Sequence, residues 1–521
     1  MLAVVHSSPS VNRKVFDRLV VGSGFSGSLL AWILASQGQS VLLVDKGTHP
    51  RFAIGESSTP TADFLVAFLA QRWNLKALAP LASWGTWKSH YPNLRCGKKR
   101  GFSYYEHRRN QSLPYDELDR HSVLVAASAS DAWSDTHWLR SDVDAFLAQQ
   151  AVKAGAVLVQ DAKIGEARYD SMDHRWEVRL QKGDGSVLDC QASWLIDATG
   201  PNGGLARWTN SKDDSDWMRT RTSSVFGHFH DVGAFEESAQ PADPFCGDDA
   251  AQHHVLDSGW FWMLRFDHGV TSVGWVRPCS SIEKSEVSFW NEIHAHPSLG
   301  RIMHEAKLIE PEGMGCIERI SRCRTRAFGP GWVSLPVSYG FVDPLHSTGI
   351  AHALSGVSRL AEIFSHPTHD IYTKLEGYQS DLRNELRWLD TLVAGCYAAQ
   401  PSFDSFYAYA CLYFIAAIEF ERQLAADPSH WPLGFLQAND SKLRDVGEQA
   451  YQLLAHRNDT AGSQSSSIAL SGGHRGGFVD RVRSYIKPWN RVGLLDPTNG
   501  NRIAHSVAPK YAAAVSALCD R

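Results

Sequence analysis

The chain of 521 residues has no CxxC pair, and its nine cysteines are dispersed. That argues against a zinc ribbon, and the odd number argues against a closed disulfide framework. Reduced thiols and a cytoplasmic setting are the expectation. Neither charge dominates, with 51 basic against 56 acidic residues, so no nucleic-acid footprint is expected. Long apolar runs are absent too. The most membrane-like stretch, 406–421, is shorter than a span and ends with Glu419 and Glu421, so it reads as a buried helix without stable membrane insertion. The start of the chain does not read as a secretory signal. Cys316 and Cys323, the nearest cysteine pair, have no adjacent histidine, so no metal is expected. There is no internal repeat. Only one dinucleotide fingerprint has the right context; the glycines at 203 and 471 do not follow strands.

What is present begins with "FDRLVVGSGFSGSLLAWILASQGQSVLLVDKG", residues 16–47. It reads as strand, glycine turn, helix and strand. Gly22, Gly24 and Gly27 form GxGxxG, with Phe25 and Ser26 inside the turn and Asp45-Lys46 eighteen residues beyond Gly27. The first glycine permits the tight turn, the second admits a pyrophosphate, and the third lets helix pack on strand. Asp45 suits ribose hydroxyls, and the helix N-terminus suits phosphate.

Further along, 86–135 is aromatic, basic and irregular in pattern. Residues 138–164 read as an amphipathic helix leading into a strand. Residues 175–200 read as strand, Gly183-Asp184-Gly185 turn and strand, ending in the Asp197-Ala198-Thr199-Gly200 motif. Alternation at 222–230, 260–266 and 270–277 predicts a largely antiparallel sheet. Residues 331–364 read as strand, loop and helix. From about 370 the pattern is helical, broken at 460–477 by a Gly- and Ser-rich stretch that reads as a mobile loop. The fold class is α/β: an FAD-binding Rossmann-like domain of the glutathione-reductase or aromatic-hydroxylase type, with an antiparallel substrate sheet and a helical C-terminal region. The expected division is 1–365, with sheet insertions at about 86–135 and 205–330, and 366–521 covering the active site.

Five segments, "GSGFSG", "HPRFAIGESSTP", "DATG", "GWFWMLRF" and "GFVDPLHSTGI", occur in this order. Together they resemble the flavin-dependent halogenases, closest to the branch acting on free phenols, over roughly residues 16–365. The resemblance implies that Gly22, Gly24, Phe25, Ser26, Gly27, Asp45, Lys46, Asp197 and Gly200 contact FAD. Arg51, Gly55, Glu56 and Ser57 would form the strap touching flavin and halide sites. Arg140 would start an FAD-contacting helix, and Asp343 and Ile350 would lie beside the flavin. The amides of Thr348 and Gly349 would bind halide.

The implied reaction uses reduced FAD, O2 and chloride or bromide. Hypohalous acid is relayed to a lysine that halogenates an electron-rich, phenol-like arene. The resemblance points to a flavoprotein oxidoreductase of secondary metabolism, such as antibiotic biosynthesis. A separate reductase would supply the flavin, and the enzyme would be a monomer or homodimer. A flavin-dependent oxygenase on the same scaffold is the alternative, and a silent FAD-binding protein a third reading.

"CGKKRGFSYY", 96–105, resembles the segment that holds the lysine and points to Lys99, with Lys98 as competitor. On a strand the two face opposite ways. His346 stands where tryptophan-specific members carry glutamate; it is either a proton acceptor or a packed loop histidine. His253-His254 reads as a structural pair. Trp260 and Trp262 share one strand face and form an aromatic wall. The family signature continues x-I-P, whereas this chain has Met263-Leu264-Arg265. Arg265 either turns inward, needing a partner, or outward as the strand runs into a hairpin through Asp267-His268-Gly269, the reading favoured here.

Overall fold

The computed structural model describes residues 14–112, 121–235, 243–279, 285–366, 370–426, 434–462 and 473–504. Two eight-stranded sheets organise it. In the first, the Lys14–Val21 strand lies between Val41–Val44 and Val187–Asp197, parallel to both. Val157–Val159 and Trp332–Ser334 extend it in parallel, and Arg175–Lys182 adds an antiparallel lane. The four residues of Val41–Val44 are all buried, as a parallel strand covered on both faces must be. Helix Phe25–Ser36 packs on this sheet because Gly22 (φ +108°) makes the turn and Gly27 allows contact: a Cβ on Gly27 would lie 2.1 Å from the Gly22 carbonyl oxygen.

The second sheet runs Lys307–Ile317, Thr222–His230, Thr271–Pro278, Gly259–Arg265, Ala251–Leu256, Gly101–Glu106, Ser122–Ala126 and Arg502–Ala504. Antiparallel pairing dominates, with two parallel contacts. The antiparallel expectation for 222–230, 260–266 and 270–277 holds. The irregular reading of 86–135 does not. That stretch contains helix Trp84–His90 and the strands Cys96–Lys99, Gly101–Glu106 and Ser122–Ala126. Their aromatic residues face a core on both sides, which hides the two-residue alternation. The segment 138–164 forms helix Arg140–Lys153 and then two strands, Val157–Val159 and Ala162–Asp170. Most of the 460–477 reading lies outside the described residues.

Three helices, Gly349–Ser365, Ile371–Ala399 and Phe403–Ala426, close the centre. Among the described residues, Phe403–Ala426 alone is long and apolar enough to cross a membrane, and it is buried. Glu385 ties the first two of these helices together and reaches the Phe435 amide beyond the third. Its carboxylate accepts bonds from Arg359 (3.0 Å) and the Phe435 amide (3.1 Å) and meets His352 Nε2 at 3.0 Å. Burial pushes its pKa up, but Arg359 and His352 outweigh that and hold it down at about 2. Because the folded value lies below the unfolded 4.5, this stabilisation is complete above pH 4.5 and is lost as pH falls through about 2. Glu385→Gln leaves Arg359 without its buried counter-charge and is expected to cost roughly 3 kcal/mol at pH 7. Thermal melting checks it: a deficit at pH 7 that narrows toward pH 2 agrees, and one independent of pH does not.

Candidate active site

Between the two sheets lies a cavity of about 450 Å³. Its lining gathers Phe25 from the glycine turn, Ile54 to Ser57 from the strap, Arg140, and Trp260, Trp262 and Leu264 from one strand. Ser347, Gly349 and Ile350 enter from the start of a helix. Segments up to 325 residues apart therefore meet at one space. Trp260 and Trp262 alternate with Phe261 and Met263, whose side chains fill a separate core behind the sheet. The shared-face expectation for the tryptophans follows directly.

Arg265, one residue beyond Leu264, turns away from the cavity. Its guanidinium pairs with Asp248 at 3.0 Å and donates to the carbonyls of Val232 and Gly233. The strand continues through a turn into Thr271–Pro278. The Arg-for-Pro departure is thus accommodated at the end of an inner strand.

The wall is held from behind. Trp260 Nε1 donates to Tyr397 Oη at 2.8 Å, and Tyr397 donates to Asp343 Oδ2 at 3.1 Å. Thr222 Oγ1 donates to the same oxygen at 2.6 Å, and the Leu345 amide donates to Oδ1 at 3.0 Å. Asp343 is buried, and that burial pushes its pKa to about 6 against the hydrogen bonds that lower it. Its carboxylate is occupied within the protein, beneath the turn. Trp262 Nε1 donates to Ser272 at 3.1 Å, and its ring fills the space over Gly274.

At the other end, Asp45 accepts bonds from Ser23, the Gly47 amide and Arg51. Arg140 holds Asp144 with two bonds, 2.9 and 3.0 Å, and Asp144 also accepts from the Phe25 amide. Both guanidiniums reach within 4 Å of where a Gly24 Cβ would stand. Lys46 is exposed and Ser26 half-buried. Asp197 caps its own turn by accepting from Thr199, and the Gly200 amide donates to Ser338. Glu56 meets His228 Nε2 at 2.6 Å rather than pointing freely into the cavity.

The lysines divide as the strand requires. Lys98 pairs with Asp131 and Asp249 at the surface side. Lys99 is 0% exposed. Its ammonium donates to the Ser58 carbonyl and lies 4.0 Å from the Phe102 ring centre. Burial pulls its pKa down to about 8 against Asp135, Asp63 and Glu421, which raise it. Beside it, His253 stacks between Tyr104 (4.5 Å) and Trp260 (4.9 Å) and lines the cavity. His254, on the other face, meets His107 Nδ1-to-Nε2 at 2.9 Å. The structural reading fits His254, whereas His253 stands at the cavity. His346 stacks on Tyr413 at 4.3 Å and 3°, and burial lowers its pKa to about 3. It is a neutral, packed imidazole next to Cys396. Thr348 begins the helix Gly349–Ser365, buried and without a side-chain cap.

Sequence reasoning missed Tyr397, Asp144, Asp63, Asp135 and Glu421. Only Asp144 had a signal, its i,i+4 spacing from Arg140.

The chain belongs to the tryptophan halogenase family, whose model matches residues 126–413, more than half of its length. A Rossmann-like NAD(P)-binding model matches residues 20–71. Tetracycline 7-halogenase of Kitasatospora aureofaciens is 26% identical over 361 residues, 66% of this chain and 62% of that protein. The match therefore spans less than two thirds of that relative. Monodechloroaminopyrrolnitrin halogenase PrnC of Pseudomonas fluorescens is 25% identical over 418 residues, 77% and 71% of the two chains. The crystal structure of halogenase PltM with phloroglucinol and FAD shares the fold at a TM-score of 0.80 and 22% identity, covering 93% of this chain and 99% of that one.

Tyr397→Phe strands two buried polar groups, the Trp260 N–H and one Asp343 lone pair, at a cost of about 1–3 kcal/mol. A lower Tm together with altered tryptophan fluorescence is expected. An unchanged melt and spectrum would mean that Tyr397 does not hold the wall.

Proposed function

We propose that this protein is a flavin-dependent halogenase that transfers chloride- or bromide-derived halogen to an electron-rich, phenol-like arene. The observation that carries the reading is Lys99, an ammonium-bearing side chain with no exposure, which sits behind the cavity lining: it contacts Ser58, next to the lining residue Ser57, and Phe102, whose ring meets the lining residue His253. A surface lysine does not need such an environment, because burying the charge costs several kcal/mol.

The residues fit FAD. The Gly24 cradle lies within reach of Arg51 and Arg140, which suits a pyrophosphate. Gly22, Phe25, Ser26 and Gly27 shape that turn, and Asp45 with Lys46 follows the second strand. Asp197 and Gly200 border the same crevice. The cavity beyond it has the apolar wall a flavin ring requires. When bound, reduced FAD with O2 supplies the two-electron oxidation of halide to hypohalous acid. Gly55, Glu56, Ser57 and Ile350 would hold the ring, with Asp343 acting through the turn it anchors. The backbone at Thr348 and Gly349, at a helix N-terminus, suits the halide.

The remaining work is the protein's own. Trp260 and Trp262 keep the arene from the flavin side while a small acid passes. Lys99 receives the hypohalous acid by hydrogen bonding. As the arene carbon takes the halogen, the oxygen leaves as water and the ring loses one proton; HOX and Ar–H give Ar–X and H2O. His346, packed on Tyr413 and with its pKa lowered by burial to about 3, is too weak a base to take that proton. Reduced flavin comes from a separate reductase, and the setting is cytoplasmic.

The oxygenase alternative depended on Arg265, and that residue faces Asp248 instead of the cavity. Mass spectrometry decides between them. With FAD, a reductase, NADH, O2 and a panel of phenols, halogen-dependent product is expected from the native chain and none from Lys99→Ala. Hydroxylated product formed without halide would favour the oxygenase.

A further inference from the structure

Three buried carboxyl groups surround Lys99, and neither the sequence motifs nor the reaction above gives them a role. The Cys96–Lys99 strand pairs with Asp135–Trp138, placing Lys99 directly across from Asp135. Asp135 is hydrogen-bonded to Asp63, which comes from helix Pro60–Arg72. Glu421, from Phe403–Ala426, accepts bonds from the Thr61 amide (3.1 Å) and hydroxyl (2.8 Å). All three carboxyls are at most 3% exposed, and Asp135 Oδ2 has no hydrogen-bond partner.

We propose that Asp135, sharing a proton with Asp63, is the positioning residue that keeps Lys99 an ammonium ion in its buried site. This rests on the reading of Lys99 given above.

The charges close on this assignment. Two carboxyls in contact cannot both ionise in a dry site, so the Asp63–Asp135 pair carries one negative charge. Burial pushes Asp63 well above the usual carboxylate range and raises Asp135 to about 6, a rise that Lys99 and the hydrogen bond with Asp63 limit. Burial also pushes Glu421 to about 8, leaving it a neutral carboxylic acid near pH 7. The other titratable groups facing the lysine add no charge. Burial lowers His137 to about 3 and His253 to about 4, and raises Tyr413 well above its ordinary value. One ammonium therefore faces one shared carboxylate charge. Without it, desolvation acts on Lys99 with only Asp63 and Glu421 left to oppose it, and the amine turns neutral at a lower pH.

The experiment is the pH profile of kcat/KM for halogenation by the FAD-loaded enzyme. The native alkaline limb should lie near the Lys99 value of about 8. Asp135→Asn should move that limb down by about 1–3 units, and Asp135→Glu should return it toward the native position. Asp63→Asn should leave the limb in place, because the amide still donates the hydrogen that the protonated Asp63 supplies. FAD binding, read from flavin absorbance, confirms folding of each variant. An unmoved limb in Asp135→Asn, or equal loss at every pH, overturns the proposal. So does a lowered limb in Asp63→Asn, which remains readable if Asp135→Asn does not fold. Lys99→Met separates the two levels: retained halogenation there would refute the lysine reading itself, whatever the Asp135 profiles show.

Discussion

Burying one ammonium group is the constraint around which the centre of this molecule is arranged. Lys99 reaches zero exposure on a short strand whose partner supplies Asp135. The far edge of that partner is bonded to the strap: the Ser58 amide donates to the Thr136 carbonyl, and the Trp138 amide donates to the Glu56 carbonyl. Strap, central strand and lysine strand thus form one narrow ribbon. The Ser58 carbonyl then accepts the lysine's own hydrogen bond. The strap and the lysine strand are thus hydrogen-bonded into one unit.

The tryptophan pair lines the cavity from the second sheet. It depends on a chain of hydrogen bonds, Trp260 to Tyr397 to Asp343, that reaches from the second sheet through a C-terminal helix to the turn before Gly349–Ser365. Trp260 and Asp343 are buried and Tyr397 is partly buried, so the chain is strong only when complete. The helical region contributes to the same centre. It supplies Tyr397, Tyr413 and Glu421 to the centre, and Glu385 fixes it against the preceding helix.

Local pattern revealed much of this. The glycine turn, the flanking strands and the alternation of Trp260 and Trp262 are short-range features, and their geometry follows from sequence spacing alone. Lys99 against Lys98 was also legible, because a strand sends neighbours to opposite faces. The ribbon was not. Its strands are four residues long, with buried side chains on both faces, so no alternation marks them. The carboxyl cluster joins positions 63, 135 and 421, and the Tyr397 bridge joins 260, 397 and 343. Such contacts depend on tertiary packing, which single-sequence periodicity does not encode. Arg265 shows the reverse: a departure from the family pattern that looked consequential is absorbed by Asp248 on the outer face.

The central claim is that flavin and lysine occupy separate spaces with the tryptophan pair between them. A crystal structure of the FAD complex tests it most directly. The account predicts the isoalloxazine in the cavity between the strap and Trp262, with Lys99 Nζ still beside Phe102 and out of contact with the ring. A flavin ring resting against Lys99, with Trp260 and Trp262 displaced, would contradict it.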